Sequence, residues 1–124
     1  VRNIEAEEVT FELSAEQDDC PVRGNALASG DKTADRECED EILRRLDNGD
    51  VWAWAAVTVT ASWTDADGQT HTGDAHLGCC SYDDEANFRT DPYYTDLCKE
   101  ALSDLNERLH AKVRLGTRLA QQLS

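Results

Sequence analysis

The chain has 124 residues, 40% of them hydrophobic and 31% charged, and its 26 acidic and 12 basic residues give a formal net charge of −14. That length holds one core of ordinary size; the mixture is too apolar for a disordered tail and too charged for a membrane protein. So negative a balance repels nucleic acid and anionic lipid and is drawn to cationic surfaces.

The opening VRNIEAEEV lacks the basic-then-apolar pattern of a leader peptide. Val9, Phe11 and Leu13 then alternate with Glu8, Thr10 and Glu12, as in a half-buried strand with an acidic outer face. Residues Ser14 to Asp31 read as a long loop punctuated by Pro21, Gly24 and Gly30, with Leu27 as its expected anchor in the core. A helix follows from Lys32 to Asp47, capped by Asp31 or Ser29 and stopped by Asn48-Gly49. Ala34, Cys38, Ile42 and Leu46 form its apolar stripe, and Arg36/Asp40, Asp40/Arg44 and Glu41/Arg45 have the spacing of i,i+4 ion pairs.

Val51 to Thr64 reads as the central strand, apolar at every odd position from Val51 to Trp63. Trp52 and Trp54 share its other face at one end, where the Cys20–Gly30 loop is expected to cover them. The longest apolar run, Val51 to Val57, is far short of a membrane span, and a cytoplasmic location is expected. Asp65-Ala-Asp-Gly-Gln69 is a hairpin turn leading into a strand from Thr70 to Cys80. The apolar positions Ala75, Leu77 and Cys79 are odd-numbered like those of the partner strand. Residues paired across a hairpin share a face, so the loop must have an odd length, with Gly68 left-handed in a three-residue turn.

After a short helical turn at Asp84–Phe88, Asp91-Pro92 opens a second long helix. Cys98, Leu102, Leu105, Leu109 and Val113 form its stripe, widened by Leu97 and Ala101, and Gly116 is expected to kink or end it. Leu115, Leu119 and Leu123 remain as a thin apolar edge. The order β-α-β-β-α predicts an α+β, two-layer fold: a three-stranded, largely antiparallel sheet packed by two main helices lying on one face. One domain is expected, with its core over about residues 7–115 and a C-terminal extension at 116–124.

Chemistry is thinly represented. The five cysteines (Cys20, Cys38, Cys79, Cys80 and Cys98) have no regular spacing and read as reduced thiols, with Cys38 and Cys98 packed on helices. They and the three histidines contain no C-x-x-C pair and no paired-His helix spacing, so neither metal nor cofactor is expected. Cys80 and His76 fall on one face of a strand and are the one candidate nucleophile and base, without an acid to orient them. No catalytic residue is assigned and no enzyme activity is expected.

The acids cluster. Glu37, Glu39, Asp40 and Glu41 crowd the first helix, and Asp65, Asp67, Asp83 and Asp84 form a second group. From Lys99 onward, five basic residues face three acidic ones, a net of +2, so the first 98 residues carry −16. Such a display can imitate nucleic-acid phosphates and occupy a Lys/Arg groove. The alternative is that the charge only keeps the protein soluble and monomeric.

The run VRGNALASGD, with DRECEDEILRRLDNGDVWAWAAVTV and LGCCSYDDEANFR after it, resembles small acidic proteins of bacteriophages, plasmids and other mobile elements. The likeness spans Pro21 to Asn106. It implies a mobile-element setting, where small acidic proteins often inhibit restriction or RNA-guided (CRISPR) nucleases through those enzymes' cationic channels. It carries no active site. The expected partner is therefore a basic protein surface of a host nucleic-acid-handling or defence complex, with no direct nucleic acid or membrane contact. A second expectation is a homodimer through the C-terminal helix, and a third is a small metal- or thiol-dependent enzyme.

Overall fold

A computed structural model describes residues 2–123, without the side chain of Leu123. The strands are β1 (Thr10–Gln17), β2 (Ala55–Thr64) and β3 (Thr70–Cys80), and the helices are α1 (Lys32–Asp47), α2 (Glu85–Arg89) and α3 (Pro92–Leu123). The strands form an antiparallel open sheet in the order β1-β2-β3, and α1 and α3 complete the α+β fold.

Local chemistry sets most element ends. The Asp31 carboxylate accepts the N–H groups of Thr33 and Ala34 at the start of α1, and Gly49, at φ +84°, takes the left-handed conformation after its end. The predicted i,i+4 pairs of α1 do not form. Arg44 turns to Glu41 and Asp40 is taken by Arg23 from the preceding loop. Arg45 reaches past the helix end to Asp50 and to the carbonyls of Tyr82 and Asp83. Free backbone carbonyls outside the helix hold Arg45 better than an exposed carboxylate on it, which contributes only a few tenths of a kcal/mol.

β2 begins later than its hydrophobic run. Residues Val51–Ala53 form a 3-10 turn because the Asp50 carboxylate accepts the Trp52 N–H at 3.2 Å. From Ala55 to Ala61 the odd residues are buried and the even ones half-buried, as the alternation predicts. Thr58 meets His76, Thr60 meets Asp74 and Thr64 meets Thr70, which places the β2 and β3 partners on one face. The turn between them has three residues, with Asp65 N–H donating to the Gln69 carbonyl at 2.9 Å and Gly68 left-handed at φ +82°.

The end of β3 departs from its pattern. Cys79, expected to face inward, is exposed, and Cys80 is buried in its place. Cys79 has φ +54°, and a left-handed residue inserted in a strand switches the side-chain alternation beyond it, as a bulge does.

The chain divides into two compact units, both of which share β1, β2 and β3. One holds the chain up to Glu12, Val59–Ala75 and α3 from Asp96 onward. Its buried residues include Ile4, Val59, Ala61, Ala75, Leu97, Ala101, Leu105 and Leu109. Asn106 ties the N-terminal segment to α3: its Oδ1 accepts from Ile4 N–H at 2.7 Å and its Nδ2 donates to the Ile4 carbonyl at 3.1 Å.

The other unit holds Leu13–Thr58 and His76–Thr95. Val22, Ile42, Ala53 and Trp54 form its buried cluster, with Cys20, Cys38, Leu43 and Leu46 packed against it. The Trp54 indole N–H donates to the Cys20 carbonyl at 2.6 Å, so the loop covers this tryptophan. Its anchor is Val22, at 7% exposure, whereas Leu27 is 39% exposed. The Val22 carbonyl accepts the N–H groups of Asn25 and Ala26, and the turn they close carries Leu27 outward. Trp52 is instead packed by Phe88, with ring centroids 5.5 Å apart.

The helix α3 passes through Gly116 without ending and runs to Leu123. A glycine costs a helix about 1 kcal/mol relative to alanine, and thirty-one other positions of this 32-residue helix outweigh that. The stripe stays buried only as far as Leu109; Val113 is 46% exposed.

Candidate functional site

The acidic surface is best described carboxylate by carboxylate. Glu39 is buried at 8% exposure: Arg23 donates to one of its oxygens at 3.0 Å and the Gly24 N–H to the other at 2.7 Å. It fastens the loop to α1 and lies buried, whereas the sequence placed it among surface carboxylates. The Gly24 N–H and the Arg23 guanidinium together lower its pKa. Arg23 also holds Asp40 at 2.6 Å. Glu41 shares its charge with Arg44, whose hydrogen bond lowers the Glu41 pKa.

Asp65 also turns inward. One of its oxygens accepts the N–H groups of Asp67 and Gln69, and the other lies 2.8 Å from His71 Nε2. The His71 contact comes first and the Gln69 N–H second in lowering its pKa. The His71 ring stacks on Trp63 at 5.5 Å and its Nδ1 lies 3.2 Å from Lys112 Nζ, on the wall of a cavity of about 430 Å³.

Glu37, Asp67 and Asp83 are exposed and make no ion pair among the described residues. Asp84 is exposed and caps α2, accepting the Asn87 N–H at 2.8 Å. Arg23 and Arg44 are thus shared among three of the four acids of the expected helix face, which halves its charge, and Glu37 alone makes no ion pair among the described residues. Glu37, Asp83 and Asp84 belong to one compact unit and Asp67 to the other.

Residue order hid several further roles. Asp18 accepts the Cys20 N–H at 2.9 Å and the Cys79 N–H at 2.6 Å, and these two bonds lower its pKa. Glu8 closes a bidentate pair with Arg2, at 2.6 and 2.8 Å, and accepts the Glu5 N–H, which lowers its pKa to about 2. A capping acid three residues along was legible for Glu8; nothing in the order of residues links Asp18 to Cys79.

The proposed thiol and imidazole pair is not assembled. Cys80 Sγ points to the carbonyls of Leu77 and Gly78, and burial raises its pKa to about 11, while His76 Nδ1 is held by Thr58. Among the described residues no three His, Cys, Asp or Glu side chains are grouped as a metal would need, and no helix is long and apolar enough to cross a membrane.

These carboxylates predict the acid limb of the stability curve. Glu8, Asp18, Asp35, Glu39, Glu41 and Asp65 all have pKa values below the ordinary carboxylate range in the folded chain. The unfolded chain therefore binds more protons as pH falls. The stabilisation is complete above the ordinary carboxylate values and is lost between about pH 5 and pH 2. Urea midpoints should hold near neutrality and drop across that window, and Glu39→Gln should make the drop shallower. An unchanged slope in Glu39→Gln would count against the buried clamp.

Comparison with protein-family models, with curated proteins and with solved structures finds no match.

Proposed function

We propose that this protein is an accessory factor of a phage or other mobile element that binds a basic protein surface of a nucleic-acid-processing complex and obstructs it, without catalysing a reaction. One observation carries the reading: the negative charge far exceeds its internal counter-ions. Of the six arginines in the first 98 residues, Arg2, Arg23, Arg44, Arg45 and Arg89 already hold a carboxylate, and Arg108 of α3 holds Asp74, so most of the balance of −16 in that stretch is left to solvent and partners. Unshared surface charge of one sign steers a cationic partner over distances of a Debye length and raises its association rate 10- to 1,000-fold at low salt, roughly.

A second reading rests on α3. Ala111–Gln122 is exposed along its whole length, with Val113, Leu115 and Leu119 at 46, 55 and 49%. This arm carries Lys112, Arg114 and Arg118 and no acid, a charge of +3 against the acidic body. That complementarity fits a second copy of the same chain, whose body would receive the arm.

One experiment addresses both. The tagged protein is used to capture nucleic-acid-binding proteins from a bacterial lysate at roughly 0.05 and 0.5 M salt, alongside Glu37→Lys with Asp83→Lys, Asp67→Lys, and Leu115→Ser with Leu119→Ser. The first reading expects a partner that is lost at high salt, displaced by duplex DNA and bound at least about tenfold more slowly by a charge-reversed variant. A partner indifferent to salt and to all three reversals would reject it. The second reading expects sedimentation as a dimer that the leucine variant reduces to a monomer, and a wild-type monomer would end it.

A further inference from the structure

Three of the five cysteines gather at one place, the junction of the loop after β1 with the end of β3. Asp18 holds two of them by their backbones: its Oδ1 accepts the Cys20 N–H at 2.9 Å and its Oδ2 accepts the Cys79 N–H at 2.6 Å. Two chain segments far apart in sequence are thus held by the two oxygens of one carboxylate. A β-carbon added at Gly78 would lie 3.0 Å from Asp18 Oδ2 and press on the same carboxylate.

Cys79 is the one non-glycine residue at positive φ among the described residues. A β-carbon is disfavoured in that conformation, and it persists only where surrounding contacts hold it. The left-handed turn brings the Cys79 side chain out of the sheet, where it is exposed, on the strand end that the Asp18 carboxylate ties to Cys20. The same turn sends Cys80 inward, against the carbonyls of Leu77 and Gly78. Cys80 is therefore removed from competition and a Cys79–Cys80 bond is disfavoured. Cys38 is packed on α1 beside Ile42, and Cys98 belongs to α3 in the other unit.

We infer that Cys20 and Cys79 are a thiol pair built to close into a reversible disulfide when the protein meets a low-molecular-weight disulfide such as oxidised glutathione. One cysteine loses its proton to solvent and its thiolate attacks a sulfur of the oxidant, expelling one glutathione thiolate, which takes up a proton. The second cysteine, deprotonated likewise, attacks the protein sulfur of the mixed disulfide and expels the second glutathione. Two protein thiols are oxidised, one small disulfide is reduced to two thiols, and the protons balance.

The surroundings set how fast and how firmly this happens. The neighbouring Cys20 thiol, then burial and the Asp18 charge, raise the Cys79 pKa to about 11. Little of this thiol is ionised near neutrality, so the reaction is slow there and quickens with pH. A high thiol pKa also makes it a poor leaving group, so the bond once formed resists reduction. Closed, the bond straps the loop over Trp54, whose indole is already held by the Cys20 carbonyl.

The test uses the full chain, incubated with oxidised glutathione at about pH 8, quenched with an alkylating agent and mapped by peptide mass spectrometry. The expected product has lost two hydrogens, links the Cys20 and Cys79 peptides, and returns to the free thiols with dithiothreitol. Its melting temperature should be higher than that of the reduced protein by roughly 10 °C, since the bond closes a long loop. Cys20→Ser should stop the reaction at a glutathione adduct on Cys79, while Cys38→Ser and Cys98→Ser should leave the link intact. The wild-type map decides the matter even if a variant misfolds. A link between Cys79 and Cys80, a persistent adduct on the wild type, no reaction, or a lowered melting temperature would each overturn the proposal.

Discussion

Alanine at Gly73 is expected to lift α3 from the sheet and to lower stability by about 3 kcal/mol, at the upper end of what overpacking costs. A β-carbon at this position would overlap the Leu105 nitrogen and the Ala101 carbonyl oxygen and come within 2.7 Å of Leu105 Cα. All three are backbone atoms of α3, so no rotamer change relieves the clash; the helix or the strand must move. Two effects oppose each other here. Glycine in a strand interior is less favourable than alanine by about 0.5–1 kcal/mol, which would favour the variant, and the overlap is several times larger. Urea denaturation followed by circular dichroism should show a clearly reduced midpoint. Gly116→Ala is the control, because nothing lies within 4 Å of its added carbon and the helical site should gain about 1 kcal/mol. A Gly73→Ala protein as stable as wild type would refute the close seating of α3 on β3.

Phe88→Ala should destabilise the other unit by about 3–5 kcal/mol, the range for removing a fully buried aromatic ring. Phe88 is 0% exposed and stands among Trp52, Tyr82 and Tyr94, with centroids at 5.5, 4.8 and 6.1 Å. Its helix has five residues, too few to be stable without tertiary contacts. The ring therefore secures α2 and the turn around Tyr82, and its loss should release both. A melting temperature lower by roughly 10–15 °C is expected for a chain of this size, with reduced near-ultraviolet dichroism from the neighbouring aromatic rings. Phe88→Leu should recover most of the loss, since a branched aliphatic side chain fills much of the volume. A fall of under about 1 kcal/mol in the alanine variant would show that the cluster is not what orders this segment.

Much of the architecture was legible because it depends on neighbours in the chain. The bounds of α1 follow from Asp31 at one end and Asn48-Gly49 at the other, and those groups act within one turn of the helix. The length of the β2–β3 turn follows from parity alone, since a strand repeats every two residues and paired residues share a face. Reasoning of the same kind failed where a distant group took over. Leu27 is apolar, yet the turn closed by Val22 carries it outward, and Val22, two places after Cys20, enters the core instead. Cys79 should have faced inward by alternation, but its left-handed backbone and the Asp18 carboxylate reverse the last residues of β3.

The acidic surface shows the same division. Its total charge is a property of composition and needs no coordinates. Which carboxylates remain free is decided by where the guanidinium groups fall, because an ion pair acts over a few ångströms while its members can be far apart in the chain. Arg23 lies 16 residues from Glu39 and 17 from Asp40, and it pairs with both, burying the first and leaving the second exposed. The sequence by itself determined the order of elements, the ends of α1 and the surplus of negative charge, since all three come from local periodicity, nearby caps or simple counting. Tertiary structure alone decided which acids are internal clamps, which cysteines share one carboxylate and which leucines of α3 stay uncovered, because each depends on a contact between segments that composition and spacing do not encode.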